Sequence, residues 1–326
     1  MTYLVLGPPT RITVKLPTGL LPRDIEAASD RLAPHLGCYG LRVESRGLGA
    51  FAVVELLRSD PLAEIIPFRP GPMTGPILIG HDETGQEVAI DPGDLPHMAI
   101  QGSTRSGKSV FCYGFLSQLA QRDDVRIAGV DASGLLLRPF PNDRFRVVGL
   151  KNPIQVEQTL AGLVSEMDRR ITAIPFDRDT LETGPDNPLI VCVLEEYPGT
   201  LRALDAFDPK GAKKVRLYVA RLLAESRKAG IVVVMIAQRC EAQIIGSAER
   251  AQMAGRISFR VDTADSVKLL HPDAPDSLAV EHTNAPPGIG LLTLPGRSLS
   301  RVRAPFLPYA GYVKAVGQAG PQRDAA

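Results

Sequence analysis

Gly102-Ser-Thr-Arg-Ser-Gly107-Lys108-Ser109 fits the pattern G-x-x-x-x-G-K-[ST] at every defined position. An apolar strand candidate, His97-Met-Ala-Ile-Gln101, precedes it, and Val110, Phe111, Phe115, Leu116 and Leu119 share one face of the amphipathic helix expected over 107–122. Glycines let the backbone turn so that successive N–H groups face one concavity, and the helix N-terminus adds positive potential. The stretch therefore reads as a cradle for the phosphates of ATP, built from Gly102, Ser103, Thr104, Arg105, Ser106, Gly107, Lys108, Ser109 and Val110. Lys108 is expected to reach the β- and γ-phosphates, and the Ser109 hydroxyl to ligate Mg2+. A chance Gly/Ser-rich turn would not need a strand before it and a helix after it.

Outward from the loop, strand and helix patterns alternate to about residue 270. Strand candidates are 77–79, 97–101, 126–130, 145–148, 189–194, 231–237 and 256–260; helix candidates are 107–122, 153–173, 212–229 and 263–270. Apolar runs without alternation, such as Ile231-Val-Val-Val-Met-Ile-Ala237, suit strands buried on both faces of a parallel sheet. The expected fold class is α/β with a central, mainly parallel sheet. Before it, Arg11–Leu16 alternates like a half-buried strand, Leu21–Ala33 reads as a short helix, and 41–44 with 50–55 read as a hairpin. Five prolines in 60–76 mark a linker. The resulting organisation is a small α+β domain over 1–66, a large domain over 67–310 and a flexible tail over 311–326.

A phosphate loop needs an acidic partner for Mg2+ and for the attacking water. Leu189-Ile-Val-Cys-Val-Leu194-Glu195-Glu196 is an apolar strand ending in two carboxylates, placed to face the loop from the carboxyl edge of the sheet. Glu195 is assigned to the metal and Glu196 to the water as base. Gln238, ending the 231–237 run, is placed to sense the γ-phosphate or the water. Arg227 and Arg256, at element boundaries, are candidates to stabilise transition-state charge in a neighbouring subunit. Asp131 reads equally as a site residue or a turn-starting Asp, and His97 as a packed histidine at a strand start.

The charge balance, 37 Lys+Arg against 36 Asp+Glu, excludes a uniformly basic nucleic-acid binder. Locally, residues 201–230 hold eight basic and three acidic side chains, a balance of +5, as contact with duplex phosphates would require. Aromatic residues are not interleaved there, which argues against stacking on single strands. Cys38, Cys112, Cys192 and Cys240 have neither metal nor disulfide spacing and read as reduced thiols. No apolar run reaches the ~18 residues of a membrane span, and no export signal opens the chain, so a cytoplasmic location is expected.

Four blocks together resemble the motor domain of FtsK/SpoIIIE-type DNA translocases: Leu95–Val110, Glu166-Met-Asp-Arg-Arg170, Arg227-Lys-Ala-Gly-Ile running to Ala237-Gln-Arg239, and Gly255-Arg-Ile-Ser-Phe259. The resemblance runs from about residue 60 to 272, and the 11–59 unit looks like a shortened form of the domain that precedes the motor. It implies a RecA-like ring ATPase, expected as a hexamer, that moves double-stranded DNA through a pore. By the family pattern Arg227 is preferred as the trans arginine and Gln238 is the sensor. Glu195 in place of Asp, Cys240 in place of Pro, and Asp131-Ala-Ser in place of Asp-Pro-Lys are departures. With no anchor or winged-helix module recognisable, the chain looks most like the compact conjugative-plasmid, TraB-like branch, with a membrane-protein partner compatible with that role. The alternatives are a motor for protein secretion and a nucleotide-gated assembly protein with weak hydrolysis.

Overall fold

Alternation along Arg11–Lys15 sends Ile12 and Val14 to one side of a strand and Arg11, Thr13 and Lys15 to the other. The structure, a computed structural model, describes residues 3–5, 9–69, 74–150, 153–240 and 246–318. It divides into two units: residues up to Ile65 with His81–Glu87, and Ile66–Gly80 with Val88 onward.

In the first unit, β1 (Tyr3–Val5), β2 (Arg11–Lys15), β3 (Gly40–Arg46) and β4 (Phe51–Leu57) form an antiparallel sheet of order β1-β2-β4-β3. The helical segment between β2 and β3 is broken into α1 (Pro22–Ala27) and α2 (Ser29–Leu32). Ile12, Val14, Leu41, Ala52 and Val54 build a small core with Ile25 and Ala33. On the opposite face Glu55 accepts from Arg11 at 3.0 Å and from Arg42 at 3.0 Å, and Arg42 also donates to the Thr84 carbonyl. Two arginines on one buried carboxylate satisfy a charge that the strand pattern alone would have left costly.

The second unit is built on a ten-stranded sheet. In chain order its elements are β5 (Ile77–Asp82), β6 (Glu87–Ile90), β7 (Met98–Gln101), α3 (Lys108–Ala120), β8 (Val125–Asp131), β9 (Arg146–Val148), α4 (Pro153–Thr172), β10 (Leu189–Glu195), α5 (Tyr197–Phe207) and α6 (Pro209–Glu225). They continue with β11 (Ile231–Ala237), α7 (Ser247–Gln252), β12 (Gly255–Ser258), α8 (Ala264–Leu270), α9 (Asp276–His282), β13 (Ile289–Leu294), β14 (Arg297–Arg303) and α10 (Tyr309–Gln318). The sheet order is β6-β5-β14-β13-β12-β7-β11-β10-β8-β9. The run from β12 to β9 is parallel, and β13 and β14 add antiparallel strands to it. This is the α/β, RecA-like arrangement expected, with a mainly parallel centre.

The centre explains the unbroken apolar runs. Along β10, Val191 and Val193 pack on the α3 side, while Ile190, Cys192 and Leu194 pack on the side of α4 to α6. Both faces are dry, so both residue parities must be apolar.

Three expectations change. The helix after the phosphate loop is not amphipathic: Cys112, Gly114, Ser117 and Gln118 are buried along with the apolar stripe, because other segments cover α3 as well. Gln118 is accommodated by closing on the Leu78 amide and carbonyl, at 2.8 and 3.0 Å. The proline-rich stretch is partly packed: Phe68 donates to and Ile66 accepts from the backbone of Phe306, while 70–73 lie outside the described residues. Finally, residues 311–318, expected in a flexible tail, continue α10, whose Tyr312, Ala315 and Val316 are buried. Tyr312 stacks on Tyr113 of α3 at 4.9 Å and donates to the Leu136 carbonyl, contacts between residues too far apart in sequence for periodicity to reveal. Residues 319–326 lie outside the described set.

Candidate active site

Register places the site. Gln101, the last residue of β7, is level with Ala237 of β11 and Ser258 of β12, and Glu195 of β10 is level with Ile236 and Asp131. The phosphate loop, Gln238 and Glu196 therefore leave the sheet at the same carboxyl edge.

The loop is held from outside. Ser103 donates to the Arg260 carbonyl through its N–H (2.8 Å) and its hydroxyl (2.9 Å), and the Gly288 N–H donates to the Ser106 carbonyl at 2.9 Å. Gly107, at φ 101°, is the turn into α3, and a Cβ there would lie 2.3 Å from the Gly288 nitrogen. At Gly102 a Cβ would meet the Ser106 hydroxyl at 2.5 Å. These two glycines keep the concavity open and admit the close backbone approach. The Ser106 hydroxyl is buried without a hydrogen-bond partner among the described residues. The first-turn N–H groups of α3, beginning at Lys108, have no carbonyl four residues back inside the helix. An anion with several oxygens fits such a cradle.

Across the edge, Glu196 takes left-handed backbone (φ 45°) as the chain turns from β10 into α5, and its carboxylate comes to 4.0 Å from the Lys108 ammonium. Ser103, Glu196 and Gln238 line one cleft of about 230 Å3, together with Arg202, Arg239 and Asp262. Glu195 points elsewhere: it accepts the Ser133 N–H at 3.3 Å. Burial, then the nearby Asp131 charge, pushes its carboxyl up to about 7. A bound divalent cation would reverse that preference. Of the residues expected to hold Mg2+, Ser109 is exposed at the start of α3 and Glu195 ends β10. Both offer hard oxygen donors, and the described residues contain no cluster of three His, Cys, Asp or Glu that could hold a metal by itself. That donor set fits Mg2+ carried in with a nucleotide, since Mg2+ keeps waters and phosphate oxygens as most of its ligands. Thr104 and Arg105 are exposed on the loop, and Val110 is half-buried in the first turn of α3.

The remaining candidates divide. Arg256 donates to the carbonyls of Met253, Leu270 and Arg250 at 2.9, 3.0 and 3.1 Å, so its guanidinium ties together segments of its own chain. Arg227 is exposed, with one nitrogen on the Leu95 carbonyl. It precedes β11, at the amino edge, roughly 20 Å of strand away from the phosphate loop of its own chain. Asp131 is fully buried and accepts from the Ser133 hydroxyl and from the Gly134 and Leu137 amides at 2.8, 2.9 and 2.8 Å; it organises its own turn. His97 is buried, and its Nδ1 accepts the Val233 N–H at 2.9 Å, so it clips β7 to β11. Burial, aided by Arg227, lowers its pKa to about 4, keeping it neutral.

Gln101 was not among the candidates, yet it joins the site's elements. Its amide nitrogen donates to the Ser258 hydroxyl (2.7 Å) and the Ser266 carbonyl (2.8 Å), and its oxygen accepts the Cys240 N–H (3.2 Å). The signal was available: a polar residue ending an apolar strand directly before the loop. The link also accounts for Cys240, since proline has no N–H to give. Gln101→Leu is expected to lower stability by about 2–3 kcal/mol through stranded buried polar groups, read as a shifted urea midpoint at unchanged slope.

The basic stretch is corrected by its partners. Lys214 pairs with Glu157 and Arg221 with Asp168, both acids from α4, while Arg216 pairs with Asp205 and Arg221 also with Glu225. The local excess is thus neutralised along the middle of α6. Lys210 and Lys213 sit at its start, toward the carboxyl edge of the sheet, and Arg227 and Lys228 follow its end at the other. No helix among the described residues is long and apolar enough to cross a membrane.

A central parallel sheet carrying this loop and these strand-end groups defines a RecA-like P-loop ATPase fold. The FtsK/SpoIIIE family model matches residues 61–179, a stretch that takes in the Leu95–Val110 and Glu166–Arg170 blocks. The chain is 26% identical over 302 residues to DNA translocase FtsK of Sporosarcina ureae, covering 83% of this chain and 38% of that protein. It is 26% identical over 291 residues to DNA translocase FtsK of Campylobacter jejuni, covering 84% and 28%. The chain thus spans between a quarter and two fifths of these relatives. Among solved structures it is similar to the pCW3 conjugation coupling protein TcpA bound to ATPγS, with a TM-score of 0.60, 18% identity and coverage of 96% and 92%. The type VII secretion ATPase EccC of Thermomonospora curvata has a TM-score of 0.57 at 19% identity, covering 82% of this chain and 34% of that one.

Proposed function

We propose that the chain is an ATP-driven motor on double-stranded DNA, serving transfer of plasmid or integrative-element DNA, and working as a homo-oligomeric ring. The observation that carries the reading is the convergence of Ser103, Glu196 and Gln238 on one cleft, with Lys108 4.0 Å from Glu196. The likeness to FtsK translocases and to a conjugation coupling protein supports DNA as the track.

In this reading the loop amides and Lys108 hold the β- and γ-phosphates and neutralise charge that grows on the leaving oxygen. Glu196 takes a proton from a water as the water oxygen bonds to the γ-phosphorus; the bond to the β–γ bridging oxygen breaks, and ADP and phosphate result. Gln238 orients that water from the neighbouring strand end. Mg2+, held through Ser109 and on the Glu195 side, supplies charge neutralisation at the phosphate oxygens. Arg227, far from its own loop and exposed, is the arginine offered to the next subunit's site; Arg256 is not, its nitrogens being taken. Lys210 and Lys213, without ion-pair partners among the described residues, contact the duplex backbone.

The test is ATP hydrolysis with and without duplex DNA, together with sizing in nucleotide. Stimulation by DNA that fades steeply with salt is expected. Hydrolysis indifferent to DNA at every salt concentration would instead favour a protein-substrate motor. For Arg227, mixing Arg227→Ala subunits into wild-type rings should depress turnover more than dilution alone; a linear decline would remove the trans role.

A further inference from the structure

Gln238 lines the candidate cleft, yet its side chain makes no hydrogen bond to any described residue, so its aim depends on the backbone that carries it. That backbone leaves the sheet at Ala237, whose register partner on β7 is Gln101. The next buried anchor is the Cys240 N–H, which donates at 3.2 Å to the side chain of the same Gln101. Between them the ion pair of Arg239 with Asp262 lies at the exposed surface, where such pairs hold little. Gln101 itself is fixed. Its side chain is fully buried, and a backbone N–H can only donate, so the Cys240 amide decides which end of the Gln101 amide is oxygen. The nitrogen then donates to the Ser266 carbonyl at 2.8 Å and the Ser258 hydroxyl at 2.7 Å. That hydroxyl, already accepting, donates to His271 Nε2 at 3.0 Å, and His271 Nδ1 donates to the Thr293 hydroxyl at 2.8 Å. Burial, with His282 and Arg256 nearby, lowers the His271 pKa to about 3, so the ring stays neutral and the order of donors holds. Turning the Gln101 amide over would set N–H against N–H and oxygen against oxygen. Its main-chain carbonyl accepts the Phe259 N–H at 2.9 Å, and Gly102 of the phosphate loop follows directly.

We propose that Gln101 is a positioning residue for hydrolysis: through the Cys240 N–H it holds Gln238 at a fixed place relative to the phosphate loop. The inference rests on the reading of Gln238 as the residue that orients the attacking water. Proline, which the resemblance to FtsK/SpoIIIE motors would place at 240, has no N–H and cannot make this link. A shift of about an ångström in a group that aims a water lowers turnover without lowering nucleotide affinity.

The test is steady-state ATP hydrolysis by the full chain, with affinity for a fluorescent ATP analogue, mant-ATP, and melting temperature measured on the same preparations. Cys240→Pro deletes one N–H and is expected to lower kcat roughly tenfold while the mant-ATP Kd stays within about twofold of wild type. Cys240→Ala, which keeps the N–H, should recover most of that loss. Gln101→Leu removes the same link from the other side, so the comparison survives if one variant does not fold. It should match Cys240→Pro in kcat, and the double variant should fall no further, since both changes break one link. A purely structural role predicts a different pattern: lower melting temperatures, with kcat of the folded variants within about twofold of wild type. That result, or losses that multiply in the double variant, would overturn the proposal. Gln238→Ala separates the two levels. If it lowers kcat but Cys240→Pro does not, the Gln101 inference falls alone; if Gln238→Ala leaves kcat unchanged, the reading of Gln238 falls and takes the inference with it.

Discussion

Lys108→Ala is expected to reduce ATP hydrolysis by at least about 10²- to 10³-fold while leaving the fold intact. The ammonium is largely enclosed and faces the Glu196 carboxylate of the acidic strand end at 4.0 Å. Its removal takes away the charge that would offset the γ-phosphate and the leaving oxygen. The loop's shape does not depend on it: Ser103 on Arg260 and Gly288 on Ser106 anchor the backbone through main-chain groups. Far-ultraviolet circular dichroism and melting temperature should therefore match wild type. Hydrolysis within twofold of wild type in a properly folded mutant would refute the assignment of the loop.

Arg170→Ala should have the largest effect on stability. Arg170 is one of the largest fully buried side chains, donating to Glu166 at 2.8 Å and to the Pro188 and Ala229 carbonyls at 3.0 and 3.2 Å. It thereby ties α4 to the chain entering β10 and to the turn before β11, at the amino edge of the sheet. Removing Arg170 takes the buried partner from Glu166, leaves it only the exposed Arg169, and strands the two carbonyls, a cost of about 3–5 kcal/mol. Burial raises the Glu166 carboxyl, but the hydrogen bonds from Arg169 and Arg170 outweigh it and bring it down to about 2. A carboxyl held below its ordinary 4.5 adds stability above that pH, and the contribution is lost as pH falls toward 2. Chemical denaturation at pH 7 and at pH 3 should show wild type losing more stability on acidification than Arg170→Ala. Equal losses, or a mutant as stable as wild type at pH 7, would contradict this account of the Glu166-Met-Asp-Arg-Arg170 block.

That block shows how far local pattern reaches. Its residues were readable as a family mark, but its role was not, because the carbonyls that Arg170 meets lie 18 and 59 residues away. The same holds for the basic stretch: eight cations in thirty residues are visible in the sequence, whereas the α4 acids that neutralise two of them are not. Arg256 looked as available as Arg227 until three carbonyls of its own chain were found around it.

The sequence by itself determined the phosphate loop, the parallel strands on either side and the acidic strand end. Each follows from spacing within about ten residues, which backbone geometry and burial on two faces enforce. Tertiary structure alone decided which side chains are spent on structure and which remain for chemistry. Asp131 and Arg256 are consumed by hydrogen bonds with nearby segments, His97 by one to a strand 136 positions away, and Gln101 is recruited to the site by residues 139 and 157 positions away. Partner choice at such separations depends on how layers pack, a property that no local window of residues contains.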